Sequence, residues 1–265
     1  MATARAYALV FTAGLITALA TGLGAVPFFI AEEVSDRVNV ALWGVASGIM
    51  LVASAFGLLP EGLAAGQPLV VAAGLLAGVL LVVVAHEWLA DADVNPQEYE
   101  AANFRKLVLV LGVLTVHSFP EGIAIGVAFA ELNLGSGVAL AAGVPALAVA
   151  MTVAISVHNV PEGVAISIPL RDMEVSPWRM VGWSVFSSLP QPLGAVFAFG
   201  FVRLAAPLLP FGFGFAAGAM AYLVASEFIP EALAIGADLA GGGYRELAAG
   251  IAAGGVSMLV LLAFV

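Results

Sequence analysis

Two copies of one short pattern carry most of the chemistry in this chain. His117-Ser-Phe-Pro-Glu-Gly-Ile-Ala-Ile-Gly126 and His158-Asn-Val-Pro-Glu-Gly-Val-Ala-Ile-Ser167 lie 41 residues apart, each with a glutamate four residues after a histidine. On an α-helix that spacing puts both side chains on one face, one turn apart. Two such helices packed face to face would gather two imidazole nitrogens, from His117 and His158, and two carboxylates, from Glu121 and Glu162. That is a four-ligand cage for a divalent cation, whose charge the carboxylates cancel. The alternative is a structural kink whose His and Glu bond each other without a metal.

The pattern sits in strongly apolar sequence. Of 265 residues, 62% are hydrophobic and only 10% charged, against about a quarter charged in a soluble domain. The chain therefore reads as an all-α integral membrane protein, a single membrane domain over residues 1–265. Apolar runs near 6–30, 39–60, 68–90, 107–130, 138–168, 180–202, 207–235 and 247–265 predict eight membrane spans. A cleaved leader is the alternative for the first run, because Ala18 and Ala20 resemble a cleavage site. Its length of about 25 residues argues for a span. At membrane depth an ionised side chain costs roughly 2.5 to 3.5 kcal/mol, so Glu121 and Glu162 together ask for about 5 to 7 kcal/mol and need something to offset it. Pro120 and Pro161 cannot donate to the carbonyls of Val116 and Val157, and a broken helix at this depth usually lines a cavity or polar path. Gly122 and Gly163, directly after the glutamates, admit a neighbouring helix closely.

Charge settles orientation and excludes one class of partner. Arg37, Arg105, Lys106, Arg171, Arg179 and Arg245 fall on one side of the eight-span scheme and only Arg5 and Arg203 on the other, which puts both termini outside the cytoplasm. The net charge of −10 repels phosphate backbones, so nucleic acid is not an expected partner. A chain without cysteine has no thiolate metal site and no disulfide.

A second self-similarity pairs Gly44 to Leu63 with Gly214 to Leu233 at a constant offset of 170, matching Gly44, Ala46, Gly48, Met50, Ala55, Pro60 and Glu61 with Gly214, Ala216, Gly218, Met220, Ala225, Pro230 and Glu231. Both repeats link spans that run in opposite directions. They fit a 3+2+3 inverted-repeat arrangement, in which the site lies between the two halves.

The paired signatures resemble those of the ZIP (Zrt/Irt-like) divalent-metal transporters, especially their GufA-like prokaryotic branch. Ser-Ser-Leu-Pro-Gln-Pro-Leu-Gly in the sixth span adds to the likeness, which covers nearly the whole chain. The resemblance implies transport of zinc or a related ion (iron, manganese, cobalt, cadmium) toward the cytoplasm, with the metal as cargo and no cofactor. It implies a first metal site on His117, Glu121, His158 and Glu162, with the thioether of Met50 from the second span. An adjacent second site would fall on Ser118, Asn159 and Gln191, where Ser118 stands for a usual Asn and Gln191 for a common Glu. Neutral ligands equip that position poorly for a dication. His86, Glu87, Glu227 and Glu231 resemble exit-route ligands or are simply solvated; Glu61 is either an entrance acid or a surface acid. The expected setting is the plasma membrane as a multi-pass protein, with divalent ions, the lipid bilayer and, as one option, a second copy of the chain in a homodimer as partners. An intramembrane metal-dependent hydrolase is the rival reading. It would need a general base that is not itself a ligand, which an inverted duplication does not offer.

Overall fold

A computed structural model describes residues 2–30, 34–90, 118–130, 143–172 and 174–264. Among these residues the chain is helical, and seven helices are long and apolar enough to cross a membrane. Helix α1 runs over Ala2–Thr21 and tightens into 3-10 turns over Gly22–Phe29. Helix α2 spans Asp36–Ala65 and α3 Pro68–Ala90. Residues 118–128 form α4, the described part of the expected fourth span. Helix α5 covers Ala146–Asp172, α6 Pro177–Leu204, α7 Leu209–Ile235 and α8 Tyr244–Ala263. The fifth span was expected from residue 138; its helix begins at Ala146, and residues 138–142 lie outside the described set.

Proline acts differently in different helices. Pro161 was expected to break its helix, yet α5 continues through it without interruption. One missing donor costs a single rung of the helical ladder, and packing on both sides keeps the axis intact. In α6 two prolines, Pro190 and Pro192, do break the helix, into Pro177–Ser187 and Pro190–Leu204 joined by a turn at Ser188 and Leu189. In α2 and α7 the proline is preceded by a π-helical turn, Ala53–Leu58 before Pro60 and Val224–Phe228 before Pro230. A π turn lets the preceding carbonyls shift out of the way of the proline ring. The two π turns fall at matching places in the Gly44–Leu63 and Gly214–Leu233 repeat, so the repeated sequence builds the same local distortion twice.

The helices pack by close backbone approach. Helix α2 lies along α8 and α7 along α3, while α1, α5 and α6 pack on one another. A side chain on Gly44 or Gly48 would collide with the carbonyl of Leu247 or Ile251, and one on Gly254 with that of Val45. The matching glycines of the repeat do the same for α7: a side chain on Gly214 or Gly218 would meet the carbonyls of Val71 and Leu75. In hydrocarbon, where lipid tails compete equally well for apolar surface, such small-residue seams let helices gain the dispersion contacts that hold them together. The main core, which includes Met50, Ile123, Ala124, Ile155, Phe199 and Met220, fills the space between these packed sets.

Replacing Gly48 or Gly254 with leucine should lower the thermal stability of the detergent-solubilised protein, by the 1 to 3 kcal/mol or so typical of overpacking, since the obstructing atoms are backbone. Gly182→Ala, which meets nothing within 4 Å, should leave it unchanged or slightly raised. Size-exclusion of heated samples measures both, and equal melting of Gly254→Leu and Gly182→Ala would contradict the seam.

Candidate metal centre

Glu121 lies on α4 and His158 and Glu162 on α5, and the helices bring one ligand atom of each within 4.8 Å of the others. This is the only group of three or more His, Asp or Glu side chains of that kind among the described residues. Glu121 and His158 have no solvent exposure and Glu162 has 2%. His158 Nε2 and Glu121 Oε1 stand 3.0 Å apart. The Glu-to-His pairing thus crosses between α4 and α5. His117, the fourth expected ligand, lies outside the described residues.

Hydrogen bonds leave this cluster incomplete. Both oxygens of Glu162 and Nδ1 of His158 are buried without a hydrogen-bond partner among the described residues. A buried carboxylate lacking partners costs several kcal/mol, and a cation beside His158 and Glu121 would satisfy the Glu162 oxygens. A tetrahedral ion with bonds of about 2.1 Å holds its ligand atoms roughly 3.4 Å apart. The His158–Glu121 pair therefore needs to open by only a few tenths of an ångström to admit one.

Glycine controls how close the surrounding helices come. A side chain on Gly122 would collide with the carbonyl of Gln191, and one on Gly163 with that of Thr21. The residue after each glutamate is thus where α6 and α1 press onto the site, as the sequence spacing suggested. Beside Gly122 begins the second half of α6, so the partial positive charge of a helix N-terminus stands next to the Glu121 carboxylate. Gln191 Nε2 donates to Glu121 Oε2. Gln191 Oε1 in turn accepts from Thr17 Oγ1 at 2.6 Å and from Asn159 Nδ2 at 3.0 Å. Asn159 Nδ2 also donates to the Thr17 carbonyl at 2.8 Å.

Two of the three expected second-site residues, Gln191 and Asn159, are therefore bonded to each other, and Gln191 is bonded to the first site. Ser118 is fully buried, with its hydroxyl unpartnered among the described residues. Met50 is fully buried in the core that also holds Ala124 and Ile155. Glu87, Glu227 and Glu231, expected on the exit route, and Glu61, expected at the entrance, are not drawn into the cluster: Glu87 and Glu231 are exposed, and Glu227 and Glu61 are half-buried. His86 lies toward the end of α3, and its side chain is outside the described set. Sequence reasoning missed Thr17. Its signal was present only as a hydroxyl in an otherwise apolar first span, four residues before Thr21, whose hydroxyl donates to Ser188 Oγ at 2.8 Å.

Comparison with known proteins identifies the family. The model of the ZIP zinc transporter family matches residues 90–262. The zinc transporter GufA of Myxococcus xanthus is 33% identical over 260 residues, covering 94% of this chain and 96% of that one. The zinc transporter ZIPB of Bordetella bronchiseptica is 35% identical over 226 residues, covering 80% and 69%. A putative zinc transporter of Arabidopsis thaliana is 41% identical over 220 residues, which is 82% of this chain but only 33% of the plant protein's length. A family match over about two thirds of the chain, and a relative alike over nearly its whole length, converge with the buried His/Glu cluster: this multi-pass membrane protein belongs to the ZIP zinc transporter family, whose members are transporters and not enzymes.

Proposed function

We propose that the chain moves zinc or a related divalent transition metal toward the cytoplasm through a site between α4 and α5, held by His117, Glu121, His158 and Glu162 with Met50 from α2. The observation that carries this reading is the buried triad of Glu121, His158 and Glu162 in which two carboxylate oxygens and an imidazole nitrogen go unpartnered among the described residues. Two carboxylates neutralise one dication, so the ion can leave water without a net charge in hydrocarbon. Two imidazoles and a thioether then favour borderline ions over hard ones.

The surrounding architecture supports the same reading. Eight spans in a 3+2+3 inverted repeat, with both termini outside, suit a site that opens to each side of the plasma membrane in turn. The repeated π turns and the reciprocal packing of α2 on α8 and α7 on α3 support the inversion. A homodimer and an outward-facing Glu61 at the entrance belong to the same proposal. So does an exit route past His86, Glu87, Glu227 and Glu231.

Three outcomes follow in proteoliposomes and with purified protein. Glu121→Ala and Glu162→Ala should reduce zinc uptake to background while the protein still elutes as a folded species, because each removes a ligand that is costly to bury; near-normal uptake by either variant would contradict the site. Unlabelled iron, manganese, cobalt or cadmium should compete with radioactive zinc, whereas calcium and magnesium, which want six or more oxygens, should not. Equal inhibition by calcium at the same concentration would sink the ligand set. The unmodified protein should hold one metal ion at this centre by elemental analysis, and Gln191→Glu, alone or with Ser118→Asn, should raise that to two. A second dication a few ångströms away would otherwise face several kcal/mol of uncompensated repulsion.

A further inference from the structure

Gln191 occupies the position of a second-site ligand, but its amide is turned so that it cannot act as one. Metal ions take the oxygen of a glutamine side chain, and here that oxygen is engaged by two donors while the NH2 group faces the Glu121 carboxylate. The sense of the amide follows from chemistry, since the reversed amide would set its NH2 against the NH2 of Asn159 and its oxygen against the Glu121 carboxylate. A main-chain carbonyl can only accept, so the Thr17 carbonyl fixes the NH2 of Asn159 toward α1. The second hydrogen of that NH2 then requires an acceptor, which is Gln191 Oε1. The Thr17 hydroxyl, which also lies 2.8 Å from the Gly14 carbonyl, gives its one hydrogen to the same oxygen, because two oxygens 2.6 Å apart need a hydrogen between them. Gln191 is left with its NH2 toward an ionised or hydrogen-bonding carboxylate. Thr17, Asn159, Gln191 and Glu121 are all without solvent exposure, so no water competes for these bonds.

Resting on the metal site proposed above, we infer that Thr17 and Asn159 lock the Gln191 amide so that its NH2 caps one oxygen of Glu121, which makes Thr17 a positioning residue that holds the centre to a single ion. The NH2 hydrogens bring partial positive charge to the carboxylate oxygen that a second cation would otherwise claim. Glu121 keeps one oxygen, Oε1, for the ion shared with His158. Released from the lock, the Gln191 amide can turn and offer its oxygen instead. Ser118 Oγ, buried and unpartnered among the described residues, would be a further oxygen ligand.

The test is metal stoichiometry and affinity with Cd2+ as probe, measured on purified full-length protein by calorimetry and elemental analysis. Thr17→Val/Asn159→Ala should bind a second Cd2+ at least about tenfold more tightly than the unmodified protein does, the change expected from losing one or two buried hydrogen bonds. Both substitutions remove polar atoms, so a gained ion cannot come from an added ligand. Thr17→Ser keeps the hydroxyl and should stay at one ion, and adding Gln191→Leu to the double variant should abolish the gain. The single variants Thr17→Val and Asn159→Ala each remove one of the two donors and should show an intermediate second affinity, which decides the matter if the double variant does not fold. A folded double variant, or folded single variants, with one ion and unchanged second-ion affinity would overturn the lock alone. An unmodified protein that holds no Cd2+, or uptake that survives Glu121→Ala, would instead overturn the metal site.

Discussion

Two carboxylates buried at membrane depth are the constraint on which the rest of this structure depends. Glu121 and Glu162 are closed off from solvent, where an uncompensated charge costs several kcal/mol. The chain meets that cost in two ways. Glu121 is paired at both oxygens, by His158 and Gln191, while Glu162 has neither oxygen paired among the described residues. The asymmetry leaves one acid held in position by its neighbours and the other with an electrostatic demand that the described residues do not meet.

Holding the pair in place falls to α1, α5 and α6. These helices carry a seam of uncharged polar side chains that continues from the site: Thr21 bonds Ser188, and Ser167 lies 3.4 Å from Ser184, all four fully buried. Hydrogen bonds between helices in lipid are worth roughly 0.6 to 2 kcal/mol each, and their directionality fixes register where dispersion alone would let helices slide. The glycines at Gly122 and Gly163 bring the backbones near enough for those short side chains to meet. Close approach and polar pairing are therefore one device, since serine and threonine cannot reach across a gap set by larger residues.

Around this body, α2 with α8 and α7 with α3 form seams in which glycines bring the backbones together. The difference in chemistry follows from what each set must do. A site that orients an amide and a carboxylate needs directional bonds, whereas a seam that only brings two helices together needs a smooth, close surface. The π turns before Pro60 and Pro230 belong to the second set and absorb the proline within the membrane without breaking the helix.

Much of this could be read from the chain before folding. Ligand types, their four-residue spacing and their placement in apolar runs determined a buried His/Glu centre, because the cost of an ionised group in hydrocarbon depends only on residue type and depth. The role of Gly122 and Gly163 was equally legible, because a missing side chain admits a neighbour whichever neighbour it is. The offset of 170 residues likewise exposed matching helices. What the sequence did not reveal was that Pro161 leaves α5 intact, that Pro190 and Pro192 break α6 beside Glu121, and that Thr17 reaches Gln191. Periodicity reports which residues share a face of one helix and is silent on which helix that face will meet. The partners of Glu121 come from α5 and α6, and those of Gln191 from α1, α4 and α5, far apart along the chain, so only tertiary packing could decide which way the Gln191 amide turns.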